Sequence, residues 1–596
     1  MDTSILIVLI ILVATIVLLI TEAVRIDMVA ILCMLALGWT GMVAPDKMIS
    51  GFSSNAVIAM MAVMIMGRGI TRTGLMNRFS RVVVKKAGTD RRKIIGFMSL
   101  SIGVISGFMQ NIGAVVLFLP SILDVARRSR IPSSCLIMPI GFAAILGGSL
   151  SMVGSGHLIL VNDLLKNANL EPYSLLSVTP VGLLLLISGI VFFYFFGKYV
   201  LPYSKTPDKN FSEQEKLVDA LQLPGKIRYY SIPENSPLAG KTTEGSGIWA
   251  NYNVNIIGIS DAKDIIYAPW RETKFRPGQE LALLGAEQNI SRMVADFGLV
   301  SEPLLQRLAR LSDPEESGFA EVIFRPRSEA VGQKFRDYAI RRRFAVEPLR
   351  LFSKGEELRG DFSDHTISAG DTLIIYGLWE KIREVKDTVD FVVTTQFPTE
   401  VRDHTKTLAA TLCFVFAIGL TLAGFPISMA FFTGAAAMIL TRVLSIQQAY
   451  QAIDWKVVFL LAGLLPLGIA MQNTGTAAFL AEELMELVSG GHPITIIFTI
   501  GIISTVFSLF MSNVGAIVVL APLVIGMAEI GGLDPRPLVL MAAVCVSNSF
   551  ILPTHQVNAL MMTAGAYRNT DYFKAGGAMS LVFLLITVGF FYIIFI

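Results

Sequence analysis

Apolar and polar positions divide the chain into three zones. Residues 1 to about 203 are mostly apolar runs, residues from about 204 to 404 are mixed and charged, and residues from about 405 to 596 are apolar again. A run of about 20 apolar residues crosses a bilayer. Such runs near 4–21, 24–43, 54–71, 133–165 and 174–203, and again near 406–424, 427–445, 455–472, 535–566 and 574–596, predict full spans. The first run lacks a positively charged start and a small-residue cleavage site, so it reads as a span and not a removable leader. Residues 93–129 and 491–529 depart from the pattern. Each holds two apolar arms of about 15 residues, too short to cross alone, around a polar break. The breaks are Met109-Gln110-Asn111-Ile112-Gly113 and Met511-Ser512-Asn513-Val514-Gly515. Each segment predicts a re-entrant hairpin, whose tip is tolerated only when buried in protein or lining a cavity. Two ordinary helices joined by a polar turn are the plainer alternative.

The hairpins repeat each other. MQNIGAVVLFLP aligns with MSNVGAIVVLAP, and Asn111 and Asn513 stand 402 positions apart, as do Pro120 and Pro522, and Ser106 and Ser508. The span before each also matches, Thr73-Gly74 with Thr474-Gly475. The span after each holds a broken stretch, Gly148 to His157 and Ser547 to Gln556. Five spans and one hairpin therefore occur twice. Five is odd, so the second copy runs upside down, and paired inverted repeats with interrupted helices are the pattern of a secondary transporter. The fold expected is an all-α polytopic membrane protein: an inverted repeat of five transmembrane helices plus one re-entrant hairpin, with a cytoplasmic α/β tandem insert.

Composition agrees. The chain is 53% hydrophobic and 16% charged, with mean hydropathy +0.62; soluble domains run near 25% charged. That excludes a soluble enzyme, a disordered chain and a nucleic-acid binder. The net charge of +3 implies no polyanionic partner. Cys33, Cys135, Cys413 and Cys545 lie far apart in apolar segments and form no CxxC pair, so neither zinc nor a disulfide framework is indicated. Lysine and arginine set the orientation. Arg72, Arg78, Arg81, Lys85, Lys86, Arg91, Arg92, Lys93, Arg127, Arg128, Arg130, Arg442, Lys456, Arg568 and Lys574 share one side, against Lys47, Lys166 and Arg536 on the other. The basic side is cytoplasmic. This predicts a multi-pass protein of the cell inner (plasma) membrane, both termini outside and the insert cytoplasmic.

The insert is itself a tandem. Ser236-Pro237-Leu238-Ala239-Gly240-Lys241 matches Ser328-Glu329-Ala330-Val331-Gly332-Gln333, and the stretch from Phe275 to Gly285 matches Ile367 to Gly377, at a constant offset of 92. Short β-rich runs alternate with helical stretches, so each copy reads as a small α/β unit. The S-x-x-x-G-K start and the later PGQ-E-L and AGD-T-L strand entries resemble the C-terminal subdomain of RCK/TrkA regulatory domains. No GxGxxG follows a strand, so the nucleotide-binding half of such domains is missing. The resemblance implies pairing and a possible small-molecule regulator; a dimerising spacer is the other role. Domains are expected at 1–203 (hairpin 93–129), 225–299, 317–390 and 405–596 (hairpin 491–529).

The breaks carry the chemistry. Asp124, Asp163 and Asp454 fall near segment ends, leaving Asn, Ser, Thr, Gln, Gly and His in the breaks. Hydroxyl, amide and free carbonyl oxygens suit a small hard cation such as sodium. The second arms are expected to start at Gly113 and Gly515, with N–H groups and a positive dipole end facing an anion. His157 and His555 fall in the symmetric breaks, either donating to an oxyanion or carrying a proton, or held neutral by helix-end carbonyls.

The hairpin tips, the trailing prolines and the broken following spans resemble the divalent anion:sodium symporter family, over roughly two thirds of the chain. That family's tip reads Ser-Asn-Thr in both halves; here it is Gln110-Asn111-Ile112 and Ser512-Asn513-Val514. The resemblance implies sodium ligands among Ser106, Gln110, Asn111, Gly154, Ser508, Ser512, Asn513 and Thr554. It implies substrate contacts among Asn111, Ser155, Asn513 and Thr554, to which the expected helix starts add Gly113 and Gly515 and the symmetric breaks add His157 and His555. Loss of both tip threonines favours a compact oxyanion such as sulfate over a dicarboxylate. The expected function is a sodium-coupled symporter of a divalent oxyanion, sulfate first, acting as a homodimer, with no enzymatic role and no metal but sodium. A dicarboxylate:sodium symporter, a proton or metalloid-oxyanion exchanger, an RCK-regulated ion channel and a membrane sensor are the alternatives. No TVGYG-type filter supports the channel.

Overall fold

The computed structural model describes residues 2–595 apart from 22, 74–89, 130, 203–213, 215–216, 219–220, 222, 225–226, 262–263, 302–306, 315, 327, 359, 396–403 and 488–491. It divides into two units, Met1–Pro207 with Arg402–Ile596, and Asp208–Val401. Gly74, Arg78, Arg81, Lys85, Lys86 and Arg130 lie outside the described residues, as do the side chains of Asp124, Arg127 and Arg128.

The helical unit begins with α1 Thr3–Thr21, α2 Ile26–Trp39, α3 Asn55–Arg72, α4 Arg91–Ser106, α5 Asn111–Ser129, α6 Ser134–Gly147, α7 Gly156–Asn167 and α8 Thr179–Val200. It resumes with α9 Thr407–Leu422, α10 Ile427–Leu440, α11 Trp455–Asn473, α12 Thr476–Leu487, α13 Pro493–Phe510, α14 Asn513–Ile530, α15 Pro535–Cys545, α16 Gln556–Gly565 and α17 Asn569–Phe595. Among the described residues, α1, α8, α11, α13, α14 and α17 are long and apolar enough to cross a membrane. Polar residues fix where helices start: Ser54 Oγ accepts from Val57 N, Asp90 Oδ1 from Arg92 N, and Asp454 Oδ1 from Lys456 N. Each satisfies an N–H that the first turn leaves unpaired.

Apolar side chains face outward along whole helices, as a lipid-facing surface requires. Leu6, Ile10, Val13 and Val17 of α1, Leu184, Ile187 and Val191 of α8, and Leu408, Leu412 and Val415 of α9 are all exposed. The interior is a large core plus a smaller one formed by α3, α9 and α10. Helix partners are exchanged between the halves: α2 packs on α11, and α10 packs on α3.

Several expectations are corrected. The arms of the second hairpin are 18 residues each, not about 15, and by length and composition each could cross. Its non-helical tip shrinks to Met511 and Ser512, which returns residues to both arms. The second arms start at Asn111 and Asn513, two residues before Gly113 and Gly515, so these glycines lie inside the first helical turn. The runs at 133–165 and 535–566 are each two helices, interrupted at 148–155 and 546–555. Each interruption is gripped by a glycine. A β-carbon on Gly182 of α8 would stand 2.0 Å from the Ser149 carbonyl oxygen, and one on Gly576 of α17 would stand 1.9 Å from that of Phe550.

The second unit holds two five-stranded sheets. Strands β1 Ile227–Ser231, β2 Asn255–Ser260, β3 Ile265–Tyr267, β4 Glu280–Leu284 and β5 Val300–Ser301 lie in the order β3-β2-β4-β1-β5. Strands β6 Ser317–Phe324, β7 Glu347–Ser353, β8 Glu356–Glu357, β9 Thr372–Leu378 and β10 Phe391–Val393 lie in the order β10-β6-β9-β7-β8. Read from the other edge, the second order is the first one repeated. Register irregularities at Ile256/Gly258 and Pro348/Arg350 recur at the same offset. Every pairing is antiparallel, so the units are α+β rather than alternating α/β. Hairpin-type connections permit antiparallel neighbours, whereas parallel ones need crossovers. One core joins the sheets through Tyr229, Ile257, Phe319, Ile374 and Tyr376.

Candidate functional site: the hairpin tips and the broken helices

At the first tip, Ser106 ends α4 and Asn111 begins α5. Ser106 Oγ lies 2.8 Å from Asn111 Oδ1 and 2.7 Å from the Ala144 carbonyl oxygen. A hydroxyl has one hydrogen, so Ser106 Oγ donates to only one of these two acceptors at a time. Other oxygens converge there. The β-carbon position of Gly154 lies 2.6 Å from the Gly148 carbonyl oxygen, 2.9 Å from that of Gly107 and 3.0 Å from that of Ser106. The β-carbon position of Gly148 lies 2.5 Å from Asn111 Oδ1 and 2.6 Å from Ser155 Oγ. Ser151 Oγ donates to the Gly107 carbonyl at 2.5 Å and so fixes the tip against the break. Amide, hydroxyl and carbonyl oxygens without a carboxylate fit a monovalent hard cation. Gln110 precedes the helix, and its carbonyl accepts from Ala114 N at 3.1 Å.

The second tip is built differently. Ser512 Oγ accepts from Gly515 N at 3.2 Å, so the Gly515 N–H expected for substrate is occupied by the helix cap. Asn513 is half-buried at the first helical position. Ser508 Oγ is buried and meets no protein partner. In the break, Asn558 Nδ2 donates to the carbonyls of Ser549 at 2.6 Å and Leu552 at 3.2 Å. Thr554 is exposed on the break. The tip residues that replace threonine differ in burial: Val514 lies in the core, and Ile112 is half-buried at its edge.

The histidines part company. His157, only 4% exposed, places Nε2 3.0 Å from Ser547 Oγ and so links the two breaks directly. His555 Nδ1 accepts from Val557 N at 3.3 Å and caps α16, a bond from an N–H and not the carbonyl contact of the simpler expectation. Sequence reasoning missed Gly148, Ser151 and Ser547. The glycine density of Gly147-Gly148 and Gly154-Ser155-Gly156 carried a signal for the first; nothing in the sequence pairs His157 with Ser547. Among the described residues, no group of three or more His, Cys, Asp or Glu could hold a metal.

The second unit contains a cavity of about 210 Å³ lined by Trp249, Trp270, Arg271, Arg336, Arg341 and Phe362, among others. Arg341 and Glu347 pair through two hydrogen bonds of 2.8 Å. Burial pushes the Glu347 carboxyl up, against the pull of Arg341.

Sequence comparison places this arrangement among transporters. A protein named Uncharacterized transporter YfbS from Escherichia coli K12 is 28% identical over 96% of both chains. Sodium/sulfate cotransporter 1 of Chlamydomonas reinhardtii is 22% identical over 55% of this chain and 38% of that protein. The GsuK RCK domain covers 28% of this chain at 12% identity with a TM-score of 0.15. The family model described as Citrate transporter matches residues 16–545 and 487–596. The chain is a multi-pass membrane transporter and belongs to the citrate transporter family.

Proposed function

We propose that this protein is a sodium-coupled symporter of a divalent oxyanion, sulfate in the first place. Two inverted halves enclose the site, and the insert lies in the cytoplasm. The observation that carries the reading is the carboxylate-free group of oxygens at the first tip, where Ser106, Asn111, Ser155 and the carbonyls of Gly107 and Gly148 converge. Sodium bound there supplies the positive charge that a dianion needs in a site without arginine or lysine. The sodium/sulfate cotransporters among the relatives support the ion pair chosen. The protein works as a homodimer, and the cavity in the insert takes a small regulator whose ring stacks on Trp249 or Trp270 and whose acidic group meets Arg271 or Arg336.

Uptake of labelled sulfate into proteoliposomes, with a sodium gradient or with choline in its place, tests the reading. Sodium-dependent uptake inhibited by thiosulfate and selenate is expected. Sodium-dependent uptake blocked by succinate or citrate, and untouched by thiosulfate, replaces sulfate with a carboxylate. That second substrate is favoured by the family's own description. Rubidium flux without sodium dependence would instead indicate a channel.

A further inference from the structure

The two copies within the insert meet through the same positions. Ile227, Ala282 and Leu284 of the first copy share one core with Phe319, Ile374 and Tyr376 of the second, and each of the latter stands 92 positions after its counterpart. The counterpart strands β2 and β7 also touch each other. Contact between equivalent positions is the mark of a two-fold interface, formed here inside one chain. The cavity of about 210 Å³ lies on that axis. All ten residues that line it from the second copy stand 92 positions after a residue that lines it from the first, as Phe362 does after Trp270 and Glu347 after Asn255.

The two sides of the cavity differ in what they leave unpaired. On the second side, Arg341 is held by Glu347 through two bonds of 2.8 Å, and Arg336 donates to Asp364 at 2.7 Å. Asp361 accepts the Ser363 N–H at 2.9 Å. On the first side, Trp249 stands where the second has Arg341, and Asn255 where it has Glu347. Arg271 lies over the Trp270 ring at 5.1 Å and enters no ion pair among the described residues. Glu244, the acid lining this side, is exposed. Trp249, Trp270 and Phe362 line the cavity half-buried, which leaves ring surface uncovered there. An uncommitted guanidinium beside uncovered rings suits a flat ring that carries one acid group. The volume falls below the range of about 300–1,000 Å³ for drug-sized ligands, so the ligand is no larger than one ring or two fused rings.

We propose that this cavity binds one compact planar aromatic acid per chain, its ring against Trp270 of one copy and Phe362 of the other and its carboxylate on Arg271, so that the ligand joins the two copies. This rests on the reading that the cavity takes a ligand, and not on sodium or on the transported anion. A site on an axis within one chain fills without a second chain, so one molecule binds per chain in a monomer and in a dimer alike. The ligand touches both copies, binds them only while they are paired, and so stabilises their pairing.

The test uses the full chain purified in detergent, with benzoate, 2-aminobenzoate and indole-3-acetate as probes, each beside its uncharged amide. Titration calorimetry gives affinity and stoichiometry, and melting without ligand checks each variant. At least one acid should bind at one molecule per chain, about tenfold or more tighter than its amide. Arg271→Gln should weaken that acid about tenfold to a hundredfold and leave the amide unchanged, and Arg271→Lys should restore most of the difference. Phe362→Ala, in the other copy, should weaken acid and amide alike. No binding by any of the three acids, or two molecules per chain, overturns the site. Equal loss of acid and amide in Arg271→Gln, or unchanged binding in Phe362→Ala, overturns it too. Where a variant melts far below the wild type, the wild-type ratio of acid to amide decides instead, and a ratio near one overturns the assignment. Labelled sulfate uptake is then measured with the bound acid present. Binding that leaves uptake unchanged keeps the site and removes its regulatory role, whereas absent binding removes the site and leaves the sodium-coupled reading standing.

Discussion

Asn111 and Asn513 occupy the same helical position, the first of α5 and of α14, but their neighbours differ. Asn111 Oδ1 is already beside Ser106 Oγ at 2.8 Å, whereas Ser508 Oγ, the counterpart of Ser106, meets no protein partner. Asn111→Ala and Asn513→Ala should each weaken sodium activation of uptake by about tenfold to a hundredfold, the worth of roughly 1–3 kcal/mol at a buried polar site. Unchanged activation in both would remove the tips from the mechanism. The lost threonines separate by position too. Ile112 is half-buried, while Val514 is 9% exposed and set in the core. Ile112→Thr should improve succinate as a competitor of sulfate uptake. Val514→Thr should leave competition unchanged and lower the melting temperature, since a buried hydroxyl without a partner costs about 1–3 kcal/mol. Equal effects on competition would show that both positions face the substrate. The asparagines were legible in the sequence because they repeat. The engagement of Gly515 N–H by Ser512 was not, because Gly113 and Gly515 look alike until the preceding residue is seen as a cap.

At the scale of elements, the breaks hold their shape because two helices press on them through glycine. Gly576→Ala forces a β-carbon onto the Phe550 carbonyl, a backbone atom that cannot swing away. Overpacking of this kind costs about 1–3 kcal/mol or more, and transport should fall with the melting temperature. Gly577 has open space around its β-carbon position, so Gly577→Ala is the control, neutral or slightly stabilising. Identical behaviour of the two would show that the contact is not tight. In the insert, burial works against the Asp390 carboxylate. Hydrogen bonds from Ser328 Oγ, Tyr338 Oη and Glu329 N nevertheless hold it below the usual carboxylate range. A lowered folded value means that the carboxylate stabilises the insert above its unfolded value. That contribution fades as pH falls through the folded one. Hydrogen exchange in 317–393 should therefore speed up as pH drops below about 4, after correction for the intrinsic rate. Asp390→Asn should flatten this response, and an unchanged response would place the acid sensitivity elsewhere. The tandem itself was legible from its constant offset. Its antiparallel sheets were not, because short apolar strands look the same in either pairing and only the connections decide.

For the whole molecule, two halves that exchange α2 and α10 as partners form one transport body, and the insert interrupts the chain between them at 208–401. An inverted pair that binds at its interface carries substrate by relative motion of its parts. A segment joining the halves can bias that motion without lining the pathway. The matched residues that lead to the expectation of an inverted repeat are plain in the sequence, whereas the basic loop expected to orient the chain lies largely at 74–89, outside the described residues. Replacing 225–390 with a flexible linker should preserve sodium-dependent uptake and change its rate. The helical unit keeps its own core, with the buried groups of α4, α6 and α8 packed among themselves. The sheets keep theirs through Tyr229, Phe319 and Tyr376. The decisive measurement is uptake over a range of sodium concentrations in the intact and shortened proteins. The same half-maximal sodium with a different maximal rate fits a modulating insert. A shortened protein that melts cooperatively, still binds sodium and yet moves no substrate would give the insert a direct part in transport.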